Sequence, residues 1–259
     1  MKSFSALDIP TAPPRHTRRV EIVCHRGANQ YAPENTYASA QICLDWQMDY
    51  VEIDVNTSRD GVLFLMHGPE LHKTTNGVGK IGDLTASAID QLDAGSWFHP
   101  TYADQRVPRL APFLRWIKGK AKLFLDVKAA NHRQLLDQIY AHGFEDECFF
   151  WSGDQAWSRQ LYEMAPELAI KVNVERAADV VNAHEYFGAR IVEMDLKHLN
   201  QPLIDACRQR GIKVMPYVKE NDAAAFGQVL AWGADMINLN HGDVFARMAA
   251  NWNLDTNHQ

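Results

Sequence analysis

No apolar run in this chain approaches the ~18–20 residues needed to cross a bilayer. Its opening stretch, MKSFSALDIPTAPPRHTRR, has no apolar core of the kind a secretory signal carries, so a cytoplasmic location is expected, with no integral membrane association. Positive charge is not in surplus. The 26 Lys and Arg stand against 32 Asp and Glu, and a formal net charge of −6 argues against nucleic acid as a partner. Cysteine is scarce. The four, at positions 24, 43, 148 and 207, form no CxxC pair, and buried free thiols in a reducing compartment are the expected state. There is no HExxH, GxSxG or Walker A motif, no strong internal repeat and no low-complexity run. Gly77 to Gly82 spells GxGxxG, but it follows Thr-Thr-Asn rather than a strand and opens no βαβ unit, which excludes a dinucleotide site.

What is present is an ordinary globular composition, 46% hydrophobic over 259 residues, enough for one large core. Prolines at 10, 13 and 14 mark residues 1–19 as an extended, flexible arm, leaving 20–259 as a single domain. Apolar runs at 20–24, 50–55, 122–127, 148–151, 169–174, 190–194, 212–216 and 235–239 predict eight strands. Helical patterns fall between most of them, which implies a parallel sheet. Eight such units in this length fit a closed (β/α)8 TIM barrel, with an open doubly wound sheet as the alternative. Residues 55–110 are longer and more irregular, and read as an insertion after the second strand, over the active face.

The chemistry concentrates where strands end. His25-Arg26-Gly27 follows the apolar Ile22-Val23-Cys24, and the run 62–66 stops at His67. Glu52 and Asp54 are two residues apart in one strand, so they point to the same side. Asp126 and Lys128 repeat that spacing at the end of 122–127. In a barrel, catalytic groups belong at the C-terminal strand ends. Acids from neighbouring strands would form there an oxygen-rich cage suited to Mg²⁺ or Ca²⁺. Any one of these acids also fits a half-exposed ion pair with a lysine. Ile53 and Val127 mark the strands as buried, however, and a set of unpaired buried acids is costly.

His25-Arg26-Gly27 with Pro33-Glu34-Asn35-Thr36 resembles the opening signature of the glycerophosphodiester phosphodiesterase family. The likeness continues through Glu52-Ile53-Asp54, Thr57, Asp60-Gly61, His67, Leu71, Thr74-Thr75-Asn76-Gly77, Gly79, Val107-Pro108-Arg109-Leu110 and Asp126-Val127-Lys128. Beyond residue 128 only the strand–helix rhythm and a closing GADMINLN match. The resemblance implies a (β/α)8 barrel that uses a divalent metal to hydrolyse glycerophosphodiesters to an alcohol and glycerol 3-phosphate. It makes His25 and His67 the acid–base pair, Glu52, Asp54 and Asp126 the metal ligands, and Arg26 and Lys128 the phosphate contacts. Glu193, in the strand over 190–194, is a further candidate for substrate contact or else a structural ion pair.

The chain departs from the family pattern in places. His67-Gly68 replaces His-Asp, and Asp126 stands where Glu is usual. Pro216-Tyr217 replaces Trp-Thr, and Asn238-Leu239-Asn240 replaces the usual Thr-Asp. Asp126 resembles the sphingomyelinase D branch of the superfamily, so a lysophospholipase D or sphingomyelinase D-like activity is the first rival. An apolar lip of Trp97, Phe98 and Tyr102 would suit it, although these rings also read as packing within the insertion. The second rival is a catalytically inactive metal- and phosphate-binding barrel, and a third is a purely structural one. Trp46, Trp116 and Trp232 read as core.

Overall fold

Residues 8–256 are described by the computed structural model. Eight parallel strands close on themselves: β1 (Glu21–Cys24), β2 (Tyr50–Thr57), β4 (Lys122–Val127), β5 (Cys148–Trp151), β6 (Ala169–Asn173), β7 (Ile191–Asp195), β8 (Lys213–Val218) and β9 (Met236–Leu239). Each pairs with its neighbours in that order, and β1 pairs with both β9 and β2, which shuts the barrel. A short ninth strand, β3 (Leu63–Leu65), runs antiparallel beside the end of β2. The fold is the (β/α)8 barrel expected, and the open-sheet alternative falls because β1 is paired on both sides, which leaves the eight parallel strands no free edge.

Helices α1 (Tyr37–Asp45), α3 (Leu110–Ile117), α4 (His132–Ala141), α5 (Gln155–Met164), α6 (Ala177–Phe187), α7 (Gln201–Arg208), α8 (Ala223–Trp232) and α9 (Gly242–Thr256) link or follow the strands, and α2 (Ala86–Ile89) is one short turn. Local chemistry sets their ends. Thr36 Oγ1 accepts from the Ser39 N–H while Ser39 Oγ accepts from the Thr36 N–H, a reciprocal cap at the start of α1. Asp154 caps α5 by accepting the N–H groups of Ala156 and Trp157. Gly188 and Gly233, with φ near +60°, end α6 and α8. No helix among the described residues is long and apolar enough to cross a membrane.

The barrel interior changes character along its axis. Val23, Tyr50, Phe124, Phe149, Ile191, Met215 and Met236 fill its lower part as one buried apolar cluster, with Phe124 and Phe149 stacked 4.5 Å apart. A strand's side chains repeat on one face every two residues. One repeat further along the same strands stand His25, Glu52, Asp126, Trp151, Glu193, Tyr217 and Asn238. The apolar floor therefore gives way to a polar layer within about 7 Å of strand rise.

Residues between β2 and α3 form a unit with its own small core of Phe64, Met66, Leu71, Ile81, Ile89 and Val107. Of the arm expected over 1–19, residues 1–7 lie outside the described residues. The rest lies along the barrel: Arg18 is buried and donates to the carbonyls of Pro13 and Gln47, Trp46 Nε1 donates to Pro10 O, and Arg247 donates to Thr11 O. Of the three tryptophans assigned to the core, Trp46 is buried and Trp116 partly so. Trp232, the last residue of α8, is 38% exposed and lies outside the core cluster.

Gly27 ties the first loop to α1. Its φ is +77°, and a Cβ there would lie 2.6 Å from Ser39 Oγ and 3.0 Å from the Ser39 main-chain carbon. The left-handed backbone and the overpacking each cost roughly 1–3 kcal/mol. Gly27→Ala is expected to lower the thermal midpoint by several degrees. A calorimetric midpoint equal to that of the parent would show that the loop relaxes freely.

Candidate active site

The strand register sets the acids side by side. Asp54 on β2 pairs directly with Asp126 on β4, and Glu52 lies one repeat below Asp54. All three are buried, and one oxygen from each falls within 4.8 Å of the others. The first loop supplies the counter-charges. Arg26 Nη1 donates to both carboxylate oxygens of Glu34 at 3.2 Å, and its Nε lies 3.3 Å from Asp54 Oδ2. The Arg26 main-chain N–H donates to Glu52 Oε2. Asn35 clamps Asp54: its Nδ2 donates to Oδ2 at 2.7 Å, and its Oδ1 accepts the Asp54 N–H at 2.9 Å. Lys128 bridges the strands, 2.5 Å from Asp126 Oδ2 and 3.2 Å from Asp54 Oδ1. Arg26 and Asn35 both adopt φ +57°, strain of roughly 1–3 kcal/mol per residue that these contacts hold in place.

His25 leaves β1 beside the acids, with Nδ1 2.9 Å from Asn240 Oδ1 and its ring edge-on to Tyr217. His67 follows β3, and its main chain is held by Asn56, whose Nδ2 donates to the carbonyls of Met66 and His67. Burial, and then the neighbouring Arg26 charge, pull the His25 imidazole down to about 4. Burial also lowers His67. Burial, reinforced by Asp54 and Asp126, drives Glu52 well above the usual carboxyl range. Burial and the Asp54 charge raise Asp126 to about 6, with Lys128 opposing.

Glu193 lies in the same polar layer, ion-paired to the buried Lys171 at 3.2 Å and accepting from Asn238 Nδ2 at 3.0 Å. Lys171 also donates to Asn173 and sits 4.4 Å from the centre of the Trp151 ring. The eight residues expected to form the site thus come from three strands and three loops to one end of the barrel. Glu34, Asn35, Lys171, Asn238 and Asn240 belong there too, although none of them is a site candidate from the sequence. Four of the five had a usable signal. Glu34 and Asn35 follow the first strand within the motif, while Lys171 and Asn238 share the parity of the inward-facing positions of their strands.

The donor set fits a hard divalent cation. Every candidate ligand atom is a carboxylate oxygen, and Asp54 Oδ1 and Asp126 Oδ1 are buried with no hydrogen bond. Residues 25–244 match the model of the glycerophosphoryl diester phosphodiesterase family. The chain belongs to that family. It is a phosphoric diester hydrolase. It is 27% identical over 254 residues to a Bacillus subtilis glycerophosphodiester phosphodiesterase, covering 89% of this chain and 86% of that one. The crystal structure of the Agrobacterium tumefaciens glycerophosphodiester phosphodiesterase superposes with a TM-score of 0.84 at 34% identity, covering 88% of this chain and 99% of that one. An Oleispira antarctica phosphodiesterase, in complex with the product sn-glycerol-3-phosphate, shares the fold at a TM-score of 0.80 and 24% identity, covering 89% and 96%.

The acid cluster has a measurable consequence for this family member. An acid whose folded pKa is raised binds protons more readily folded than unfolded, so stability falls as pH rises above the unfolded value of about 4.3. Glu52→Gln removes one of the crowded charges but keeps an oxygen for the Arg26 N–H. Without divalent cations, the variant is expected to melt above the parent at neutral pH, by about 2–4 °C for each kcal/mol relieved. The gap should close below pH ~4. Thermal melts across pH check this, and a variant that melts lower than its parent at neutral pH contradicts it.

Proposed function

We propose that the chain hydrolyses glycerophosphodiesters to an alcohol and glycerol 3-phosphate, with Glu52, Asp54 and Asp126 holding Mg²⁺ or Ca²⁺ and with His25 and His67 as the acid–base pair. The observation that carries this reading is the convergence of three buried acids, two of whose oxygens accept no hydrogen bond, with two imidazoles and two cations on one barrel mouth. A divalent cation bound there supplies Lewis-acid neutralisation of the phosphodiester charge. Arg26 and Lys128 flank the acids and present positive charge to the remaining phosphate oxygens, which stabilises charge that grows in the transition state. One imidazole takes the proton of the attacking hydroxyl, and the other protonates the leaving oxygen. Imidazole suits both tasks because its ordinary proton affinity lies near neutrality, and burial shifts both rings here toward the neutral, proton-accepting form. Glu193, fixed by Lys171 and Asn238, contacts the polar part of the substrate on the side of the mouth away from Asp54. The product held by the Oleispira relative supports glycerol 3-phosphate as the retained half. The four buried free cysteines support a reducing, cytoplasmic setting.

A second reading rests on one observation. Trp97, Phe98 and Tyr102 form a continuous ring cluster, and Trp97 is 44% exposed, so a lysophospholipid or sphingomyelin-type substrate has an apolar surface to lie on.

Phosphorus NMR on a panel of glycerophosphocholine, glycerophosphoethanolamine and lysophosphatidylcholine separates these readings. Release of glycerol 3-phosphate that stops with EDTA and returns with Mg²⁺ or Ca²⁺ is the expected result. No turnover of any substrate would leave the inactive barrel. His25→Ala and His67→Ala are each expected to lower kcat by roughly 10²–10⁴-fold, with the cation-induced rise in melting temperature intact. Near-parental turnover in either variant removes that histidine from the pair.

A further inference from the structure

Asn240 is one residue past β9, and its side chain forms a closed hydrogen-bond chain with the first loop. His25 Nδ1 lies 2.9 Å from Asn240 Oδ1, and Asn29 Nδ2 donates to the same oxygen at 2.8 Å. Asn29 Nδ2 also donates to the main-chain carbonyl of His25 at 2.8 Å, and Asn240 Nδ2 donates to the main-chain carbonyl of Lys219 at 3.1 Å. A carbonyl oxygen can only accept. Turning the Asn240 amide over would set its oxygen against Lys219 O and its NH₂ against the NH₂ of Asn29. Turning Asn29 over would set its oxygen against His25 O. Two main-chain carbonyls therefore fix the polarity of the whole chain, and the one remaining position, His25 Nδ1, must donate.

We propose that Asn240 is a positioning residue that holds His25 as its Nδ1–H tautomer, so that the Nε2 lone pair faces the reaction and His25 serves as the base and His67 as the acid. This rests on the acid–base reading of the two histidines given above. In the step so assigned, Nε2 takes the proton of the attacking water or substrate hydroxyl, and that oxygen forms its bond to phosphorus. The bond from phosphorus to the leaving oxygen breaks, and His67, having first taken up a proton from solvent, supplies the proton that oxygen needs. Exchange with solvent then returns both rings to their starting states.

The surroundings agree. The groups that face His25 are Arg26 beside it, Asp54 on β2, Glu193 on β7 and the Tyr217 ring on β8. Burial and Arg26 outweigh the two carboxylates, so the ring rests neutral near pH 7. A neutral ring with its proton on Nδ1 is a base at Nε2 and not an acid. Asn240 contributes an oxygen but no charge, so the pull of its hydrogen bond toward the imidazolium is smaller than the opposing effects of burial and Arg26, and the ring stays neutral.

Three measurements test this. Nitrogen-15 NMR of the imidazoles in the full-length wild-type protein is expected to show a neutral His25 with its proton on Nδ1 and a bare Nε2. A neutral His25 protonated on Nε2 overturns the proposal. Asn240→Ala removes the acceptor and is expected to lower kcat on glycerophosphocholine by roughly 10–10²-fold with KM near the parental value. Unchanged kcat overturns it. Asn240→Asp keeps the acceptor but adds charge. It is expected to retain most of kcat and to move the acidic limb of the pH–kcat/KM profile upward by about one unit or more. A limb that coincides with the parental one overturns the proposal. Thermal melts establish that both variants fold, and the wild-type spectrum and Asn240→Asp remain decisive where Asn240→Ala does not. The NMR measurement needs no substrate. A protein that hydrolysed no glycerophosphodiester would sink the activity and leave the tautomer test standing.

Discussion

Like-charge repulsion inside a closed barrel is the constraint around which this molecule is arranged. Glu52, Asp54 and Asp126 are buried within a few ångströms of one another, where desolvation alone disfavours any charge. Everything nearby answers that problem. Arg26 leans across Asp54 and is itself restrained by Glu34. Lys128 joins the two strands that carry Asp54 and Asp126. Asn35 and the Arg26 N–H supply hydrogen bonds to the acids. Even so, Asp54 Oδ1 and Asp126 Oδ1 accept no hydrogen bond, and the Asp54 oxygen has only the Lys128 charge at 3.2 Å beside it. A site left short of positive partners in this way is under-compensated without a ligand, which is the usual relation between stability and function at active sites.

The two-residue period of a strand decides which side chains share this environment. Apart from β5, whose mouth residue is Trp151, the strands lend the lower barrel an apolar residue and the mouth a polar one, so the floor and the site are consecutive repeats of the same pleat. Met215 and Tyr217 show the relation on β8, and Met236 and Asn238 show it on β9. An apolar floor lowers the local dielectric beneath the charges, which strengthens every electrostatic contact above it and raises the penalty for leaving one unmade. Lys171 is the extreme case. It is buried between aromatic rings and holds its charge through Glu193 and Asn173.

Much of this is legible in the sequence. Alternating apolar runs and helical patterns define all eight barrel strands, and the spacing of Glu52 with Asp54 and of Asp126 with Lys128 places them on one face. Those signals are local. What resists reading is long-range or backbone-borne. Nothing near residue 240 announces that its amide faces a histidine at residue 25, because the partner is fixed by barrel closure. The left-handed backbone of Arg26 is likewise hidden, since arginine does not signal positive φ as glycine or, more weakly, asparagine does. The exposure of Trp232 is equally hidden, because a position on a helix face does not say whether the last turn of that helix is covered.

The distance in sequence between His25 and Asn240 has a consequence in time. The two side chains are 215 positions apart, and β1 lies hydrogen-bonded to β9 along its whole length. A chain growing from its N-terminus displays the histidine, the arginine and the acids of β2 long before β9 exists. Until that last strand arrives, β1 has an open edge and His25 has no amide to orient it. The nascent protein thus carries most of its chemical groups in an unassembled form for nearly the whole of synthesis, and competence comes in one step at the end.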